Sequence, residues 1–201
     1  MGEIHANLHV TLDGVITANG GPTEPDGDFP YAGWQWAYSD EGSGERLLEI
    51  VEQSDALLLG RVTYDIFRAY WPGKTDRIGT VFNRVPKYVA SRRGATLSWA
   101  GTTAVADASG LRALKDRHAQ IQTWGSGDLL QTLLDEGLVD VLNLWVYPIT
   151  LGMGGRVFRE GTAATRFALE EPPMPYPSGV MLQRLRRLDG PPIAAGPPGA
   201  A

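Results

Sequence analysis

Residues 4–12 alternate strictly between apolar and polar positions. Ile4, Ala6, Leu8, Val10 and Leu12 share one face of a strand, and His5, Asn7, His9, Thr11 and Asp13 share the other. Asp13-Gly14 marks a turn, after which Val15-Ile16 resumes briefly. Residues 18–33 are dense in Gly and Pro and read as a loop, about as long as a compact domain holds without a functional reason. Leu47, Leu48 and Val51 predict a helix over 44–53. Ala56-Leu57-Leu58-Leu59, stopped by Gly60, reads as a short strand buried on both faces. Val62, Ile66, Phe67 and Tyr70 predict a helix over 62–70, ended by Trp71-Pro72. Lys87–Ala90 reads as a strand, Leu111 and Leu114 mark a helix over 108–118, and residues 120–124 form the next strand. A helix then carries Leu129, Leu130, Leu133 and Leu134 and closes at Gly137. Val139 to Tyr147 is a strand, with short ones expected at 156–158 and 167–169. Residues 179–188 fit either a strand or a helix, because Leu182, Leu185 and Leu188 also keep a helical spacing.

Alternating strands and helices through the middle, followed by strands alone, predict an α/β fold. It is a three-layer architecture, a mostly parallel central sheet with helices on both faces and antiparallel C-terminal strands. At 201 residues the chain supports one core, assigned to a single domain over 1–190. The Pro-, Gly- and Ala-rich tail over 191–201 is expected to be disordered.

The net charge of -5 gives no electrostatic reason to expect nucleic acid or an acidic membrane as a partner. No apolar run approaches the roughly 18 residues of a membrane span. The chain has no cysteine, which excludes disulfides, thiolate catalysis and cysteine metal sites, and fits a reducing compartment. The first residues lack the basic and apolar regions of a signal peptide, so a cytoplasmic location is expected. His5 and His9 lie about 13 Å apart along one strand and cannot share a metal, and His118 belongs to another element. No metal site is expected.

Two glycine junctions join a strand to a helix, Leu59-Gly60-Arg61-Val62-Thr63 and Trp124-Gly125-Ser126-Gly127-Asp128. At such a junction the free N–H groups of the first helical turn favour an anion, and glycine lets a ligand approach the backbone. In open α/β sheets ligands lie at the carboxyl ends of the strands, where both junctions fall. Neither is a complete dinucleotide fingerprint, since Leu130 stands where the last glycine would be, and Gly73-Lys74-Thr75 lacks the upstream glycine of a P-loop. Ser91-Arg92-Arg93, after a third strand, suits a further phosphate or an ordinary solvated loop.

These segments, in this order, resemble the dihydrofolate reductase-like superfamily, most closely the branch of the C-terminal reductase domain of the bifunctional riboflavin-biosynthesis deaminase/reductase. The matching stretches are Thr11-Leu12-Asp13-Gly14-Val15-Ile16, Leu58-Leu59-Gly60-Arg61-Val62-Thr63-Tyr64, Tyr88-Val89-Ala90-Ser91-Arg92 and Gly125-Ser126-Gly127-Asp128-Leu129-Leu130 with Gly137-Leu138-Val139-Asp140. Pro148-Ile149-Thr150-Leu151-Gly152-Met153-Gly154 with Val157-Phe158 completes them. The resemblance implies NADPH lying across the strand ends. Val10, Leu12 and Ile16 would line the nicotinamide, and Gly60, Arg61 and Thr63 would hold phosphates. Ser91 and Arg92 would flank the 2′-phosphate. Gly125, Ser126, Gly127, Asp128 and Leu129 would pack the pyrophosphate and nicotinamide side. It also implies a homodimer.

Residues 29–41, Phe29 to Glu41, offer no acid that aligns with the carboxylate of folate-reducing members, so folate reduction is not expected. Asp13 either contacts substrate or orders its turn. Trp34, Trp36 and Tyr38 either stack on a planar ring or pack the loop, and Tyr64 is a further substrate-side candidate. The resemblance therefore points to NADPH-dependent hydride transfer to a small C=N or C=O substrate of the ribosylamino-pyrimidine type. A general pterin or carbonyl reductase and a non-catalytic nucleotide-binding module are the alternatives. The zinc-deaminase signature, which needs cysteines, is absent.

Overall fold

The computed structural model describes residues 1–21, 27–91 and 96–190. The alternating N-terminal run becomes β1 (Glu3–Thr11), and Gly14 takes the left-handed φ of 83° that its turn requires. A single 3-10 turn (Trp34–Tyr38) precedes α1 (Glu41–Glu52), which Asp40 caps by accepting from the Ser43 N–H. Then follow β2 (Ala56–Gly60), α2 (Arg61–Tyr70), α3 (Arg77–Arg84), β3 (Lys87–Ala90) and β4 (Thr102–Val105). Next come α4 (Ala108–Leu114), β5 (Gln120–Trp124), α5 (Gly127–Asp135) and β6 (Val141–Tyr147). The last strands are β7 (Arg166–Leu169), β8 (Met174–Pro175) and β9 (Met181–Leu188).

All described strands belong to one sheet ordered β4-β3-β2-β5-β1-β6-β9-β7, with β8 also paired to β9. The strands from β4 to β6 run parallel, and β9 pairs antiparallel with β6 and β7. The two faces of the sheet carry two cores. Ile4, Ala6, Leu8 and Val10 pack with Leu111 and Leu114 of α4 and with Leu129, Leu130, Leu133 and Leu134 of α5. Leu57, Leu59, Trp124, Trp145 and Tyr147 pack on the opposite face with Ile50 of α1, Tyr64 of α2 and Phe82 of α3. This is the expected three-layer α/β architecture with antiparallel C-terminal strands.

Several local expectations change. The helix expected over 108–118 ends at Leu114, where the Arg117 and His118 N–H groups both turn back to the Leu114 carbonyl. Residues 156–158 are not a strand; Arg156 alone makes one antiparallel bridge, to Val15. Within 179–188, Met181–Leu188 form a strand, because β6 offers them an antiparallel ladder in which Trp145 faces Leu182 and Val141 faces Arg186. The helix α3 has no counterpart in the sequence reading. It carries Gly79 in its first turn, where Asp76 caps the N–H and a Cβ would stand 2.5 Å from the Lys74 Cβ, so close packing outweighs helix propensity there. The edge strand β4 leaves Thr103 and Ala104 exposed and so shows no apolar alternation. The tail over 191–201 lies outside the described residues. Among the described residues no helix is long and apolar enough to cross a membrane.

Candidate functional site

The two glycine junctions stand side by side. They close the carboxyl ends of β2 and β5, which pair through Ala56 with Ile121 and Leu57 with Gln122. Ser126 couples them. Its backbone is left-handed (φ 55°), and its Oγ accepts from the Gly60 N–H at 3.0 Å and lies 2.9 Å from Thr63 Oγ1. Each of α2 and α5 therefore begins next to the other, with the N–H groups of Arg61, Val62 and Thr63, and of Gly127, Asp128 and Leu129, lacking intrahelical acceptors. Dipole and donors together favour an anion between them. Gly127 is bare backbone in a narrow place, since a Cβ there would meet Arg159 Nη2 at 2.9 Å and Ile16 Cδ1 at 3.1 Å. Arg159 also pairs with Asp128 at 2.6 Å, which puts a guanidinium at the start of α5. It went unnoticed in the sequence because the segment after β6 gives no periodicity to place it. Arg61 is half-exposed and ion-paired to Asp65 at 2.9 Å.

Of the other residues expected at a cofactor, Ile16 and Leu129 sit beside these junctions, Leu129 being buried behind Gly60. The Val10 side chain is buried in the core, whereas that of Leu12 is exposed and its N–H is taken by the Ile149 carbonyl. Ser91 follows β3, with its N–H bonded to the Val105 carbonyl. Arg92 and Arg93 lie outside the described residues.

Asp13 orders its turn. Its carboxylate accepts from Thr11 Oγ1 at 2.6 Å, Leu151 N at 3.2 Å and Gly152 N at 2.7 Å. These bonds, led by that from Thr11, lower its pKa to about 2. Trp34 is buried, donates Nε1–H to the Thr17 carbonyl at 2.9 Å and sets its ring edge-on to Tyr147. Trp36 is exposed, with Nε1–H on the Gly20 carbonyl. Tyr64, expected on the substrate side, is instead fully buried in the core, and its hydroxyl accepts from the Ser98 and Trp99 N–H groups, both at 3.1 Å. Its place on α2 puts it one helical step behind the junction, with its ring stacked against Trp99.

A polar pair absent from the sequence reading as a site lies on the α1 side of the sheet. His9, half-buried on β1, has its Nδ1 2.7 Å from the Tyr147 hydroxyl on β6. The imidazole stacks on Trp145, its cross-strand neighbour, with centroids 6.0 Å apart. Trp34 and Tyr38 pack edge-on against Tyr147. Burial lowers the His9 pKa to about 4 and raises that of Tyr147, the latter helped by the negative charge of Asp40. The sequence places His9 on the polar face of β1 but holds no signal for its pairing, which depends on the β1–β6 register. The pair is close to the α5 junction, because the Gly125 N–H bonds the Asn7 carbonyl two residues before His9.

The fold is shared with several solved proteins. A pyrimidine reductase-like protein from Corynebacterium diphtheriae superposes with a TM-score of 0.63 at 14% identity, covering 94% of this chain and 93% of that one. The Enterococcus faecalis dihydrofolate reductase, solved with NADP(H) and RAB-propyl, gives 0.58 at 15% identity over 94% of this chain and 98% of that one. In sequence, the chain is 26% identical over 165 residues to the uncharacterised protein YyaP of Bacillus subtilis, covering 78% of this chain and 80% of that protein. The family model of the RibD C-terminal domain matches residues 3–172, and the chain belongs to that family.

Proposed function

We propose that the protein is an NADPH-dependent reductase that adds hydride and a proton across a C=N or C=O bond of a small planar substrate of the ribosylamino-pyrimidine type. The observation that carries this reading is the pair of adjacent helix N-termini joined by Ser126. It offers two sets of free N–H donors at the carboxyl ends of neighbouring parallel strands. A dinucleotide has two phosphate groups in its backbone to fill such a place. Bare backbone at Gly127 lets Arg159 and Ile16 pack against the start of α5, and Arg61 and Arg159 add positive charge. When bound, NADPH would supply the hydride, and the chain would supply its orientation. Family membership and the NADP(H) of the fold relative support the same choice.

Titrating the protein with NADPH and with NADH, read by tryptophan fluorescence, tests the reading. Micromolar or tighter binding of NADPH, with NADPH oxidation on adding a ribosylamino-pyrimidine 5′-phosphate, is the expected result. Binding without turnover of pyrimidine, pterin or carbonyl substrates would leave a nucleotide-binding module. Absence of binding would remove the cofactor assignment altogether.

A further inference from the structure

We propose that His9 is the proton donor of this reduction and that Tyr147 holds it in the donating form and resupplies it. The proposal rests on the reductase reading above and names the group that completes it.

The argument starts from the polar face of β1. Beyond Glu3 its residues are His5, Asn7, His9 and Thr11, and nearly all their polar atoms are bonded to protein. His5 contacts Glu3 through Nε2 and Gln120 through Nδ1. The Asn7 amide donates to Gln122 Oε1 at 2.6 Å and the Thr123 carbonyl at 3.1 Å, while its oxygen accepts from Asn143 at 2.8 Å. Thr11 donates to Asp13 and accepts from the Val15 N–H. His9 differs. Its Nδ1 meets Tyr147, and among the described residues nothing meets its Nε2. It is also half-buried, whereas His5, Asn7 and Thr11 are buried.

Tyr147 decides which tautomer His9 adopts. Its hydroxyl is buried, and among the described residues Nδ1 is its one acceptor. A buried O–H that only accepted would leave its own hydrogen unbonded, at a cost of about 1–3 kcal/mol. The phenol therefore donates to Nδ1, and the imidazole carries its hydrogen on Nε2. Stacking on Trp145 fixes the ring plane, and Trp34 and Tyr38 fix Tyr147. The result is a neutral imidazole with one N–H held in a set direction, near the junction where Gly125 joins β1.

The chemistry balances through this pair. As hydride adds to the carbon of the C=N or C=O bond, the π pair moves to the heteroatom. That atom takes the proton from Nε2 while the phenolic proton of Tyr147 passes to Nδ1. The product is the neutral amine or alcohol, NADPH leaves as NADP+, and the phenolate formed is a weaker base than the alkoxide or amide anion it prevents. A proton from water at Nε2, with return of the Nδ1 proton to the phenolate, restores the pair. His9 is thus a catalytic residue, and Tyr147 a positioning residue that acts through it.

Two measurements test this on the full chain. The first is nitrogen-15 NMR of the histidine rings, resolvable because the chain has three histidines. It should show His9 as the Nε2–H tautomer between pH 6 and 8, lost to a mixture in Tyr147→Phe. The second is steady-state kinetics with NADPH and a ribosylamino-pyrimidine 5′-phosphate. His9→Phe should lower kcat by about 100-fold or more, Tyr147→Phe by about tenfold, with KM and NADPH affinity changed less than about threefold. An Nδ1–H tautomer in the wild type, or a His9→Phe kcat within about threefold of it, overturns the proposal while the reductase reading survives. A wild type that binds no NADPH overturns both. Where NADPH binds but the pyrimidine is not reduced, the tautomer alone decides.

Discussion

Single side chains carry the most direct tests. Lys87 is buried, with Nζ donating to the Asn83 carbonyl at 2.9 Å and the Ala100 carbonyl at 3.1 Å and lying over the Trp99 ring. Burial lowers its pKa from 10.5 to about 8. Between these values the unfolded chain holds a proton that the folded protein does not, so stability rises with pH across that window. Relative to Lys87→Met, which lacks this titration, the wild type should gain on the order of 2–3 kcal/mol between pH 8 and 10.5, measured by urea unfolding. Arg61→Ala should weaken NADPH binding about five- to tenfold, as expected for one lost phosphate contact, read by tryptophan quenching. Its melting temperature should barely move, because the exposed Arg61–Asp65 pair contributes less than about 1 kcal/mol. At this scale the sequence discloses residues whose role follows from their neighbours in the chain. Asp13 is legible because Asp-Gly is a local turn signal, and the turn is what its carboxylate holds together. Tyr64 and His9 are not legible, since the burial of one and the partner of the other are set by residues 34 and 138 positions away.

Among the elements, the Ser126 junction is the place where geometry and side chain oppose one another. A left-handed serine is strained by roughly 1 kcal/mol, and here its hydroxyl ties Gly60 and Thr63 to the start of α5. Ser126→Ala keeps the strain and loses the ties, so thermal denaturation should show a loss of about 1–2 kcal/mol. Ser126→Gly loses the ties and relieves the strain, so it should cost less than the alanine variant. The reverse order would mean that the left-handed backbone is not strained there, and an alanine variant as stable as the wild type would mean that the hydroxyl does not bridge the two helices. The elements themselves divide by how they are buried. Strands β2 and β6, largely apolar on both faces, and helix α5, with one leucine-rich face, are plain in the sequence. The edge strand β4 is not, because little apolar surface repeats along it, and the short helix α3 keeps Ile78, Val81, Phe82 and Val85 at helical spacing over only eight residues, one of them Gly79. The stretch at 179–188 carried two periodicities, and the ladder to β6 selects one of them.

At the scale of the whole molecule, one chain of charges ties together segments distant in sequence. Arg46 of α1 pairs with Glu171 at 2.7 Å, and Glu171 lies 3.8 Å from Arg184 of β9. Arg184 meets Glu170 at 3.2 Å, Glu170 also pairs with Arg186, and Arg186 meets Glu3 of β1 at 2.7 Å. The hydrogen bond from Arg186 leads the causes that lower the Glu3 pKa to about 2. Because that pKa is depressed, the stability it brings is present above about pH 4.5 and fades as pH falls through 2. Glu3→Gln should therefore flatten part of the acid limb of a stability-against-pH curve and lower stability at pH 7 by less than about 1 kcal/mol, given that Glu3 is partly exposed. The layered α/β architecture and its family were legible from the order of strands, helices and glycine junctions. The order of strands across the sheet was not, because pairing partners leave no mark on local periodicity.

That strand order has a consequence for how the protein is made. Of the strands of this sheet, β1 leaves the ribosome first, yet it lies between β5 and β6, with Glu3 beside Gln120 and His5 beside Val141. During synthesis β1 therefore waits, with both edges open, until more than half the chain has followed it. Its partners arrive late and pair in parallel, the slow kind of contact that exposes nascent strands to misassociation. A newborn chain of this protein should depend on holding β1 apart from other chains until residue 147 has emerged, and shortened nascent chains ending before β6 should be the ones that chaperones retain.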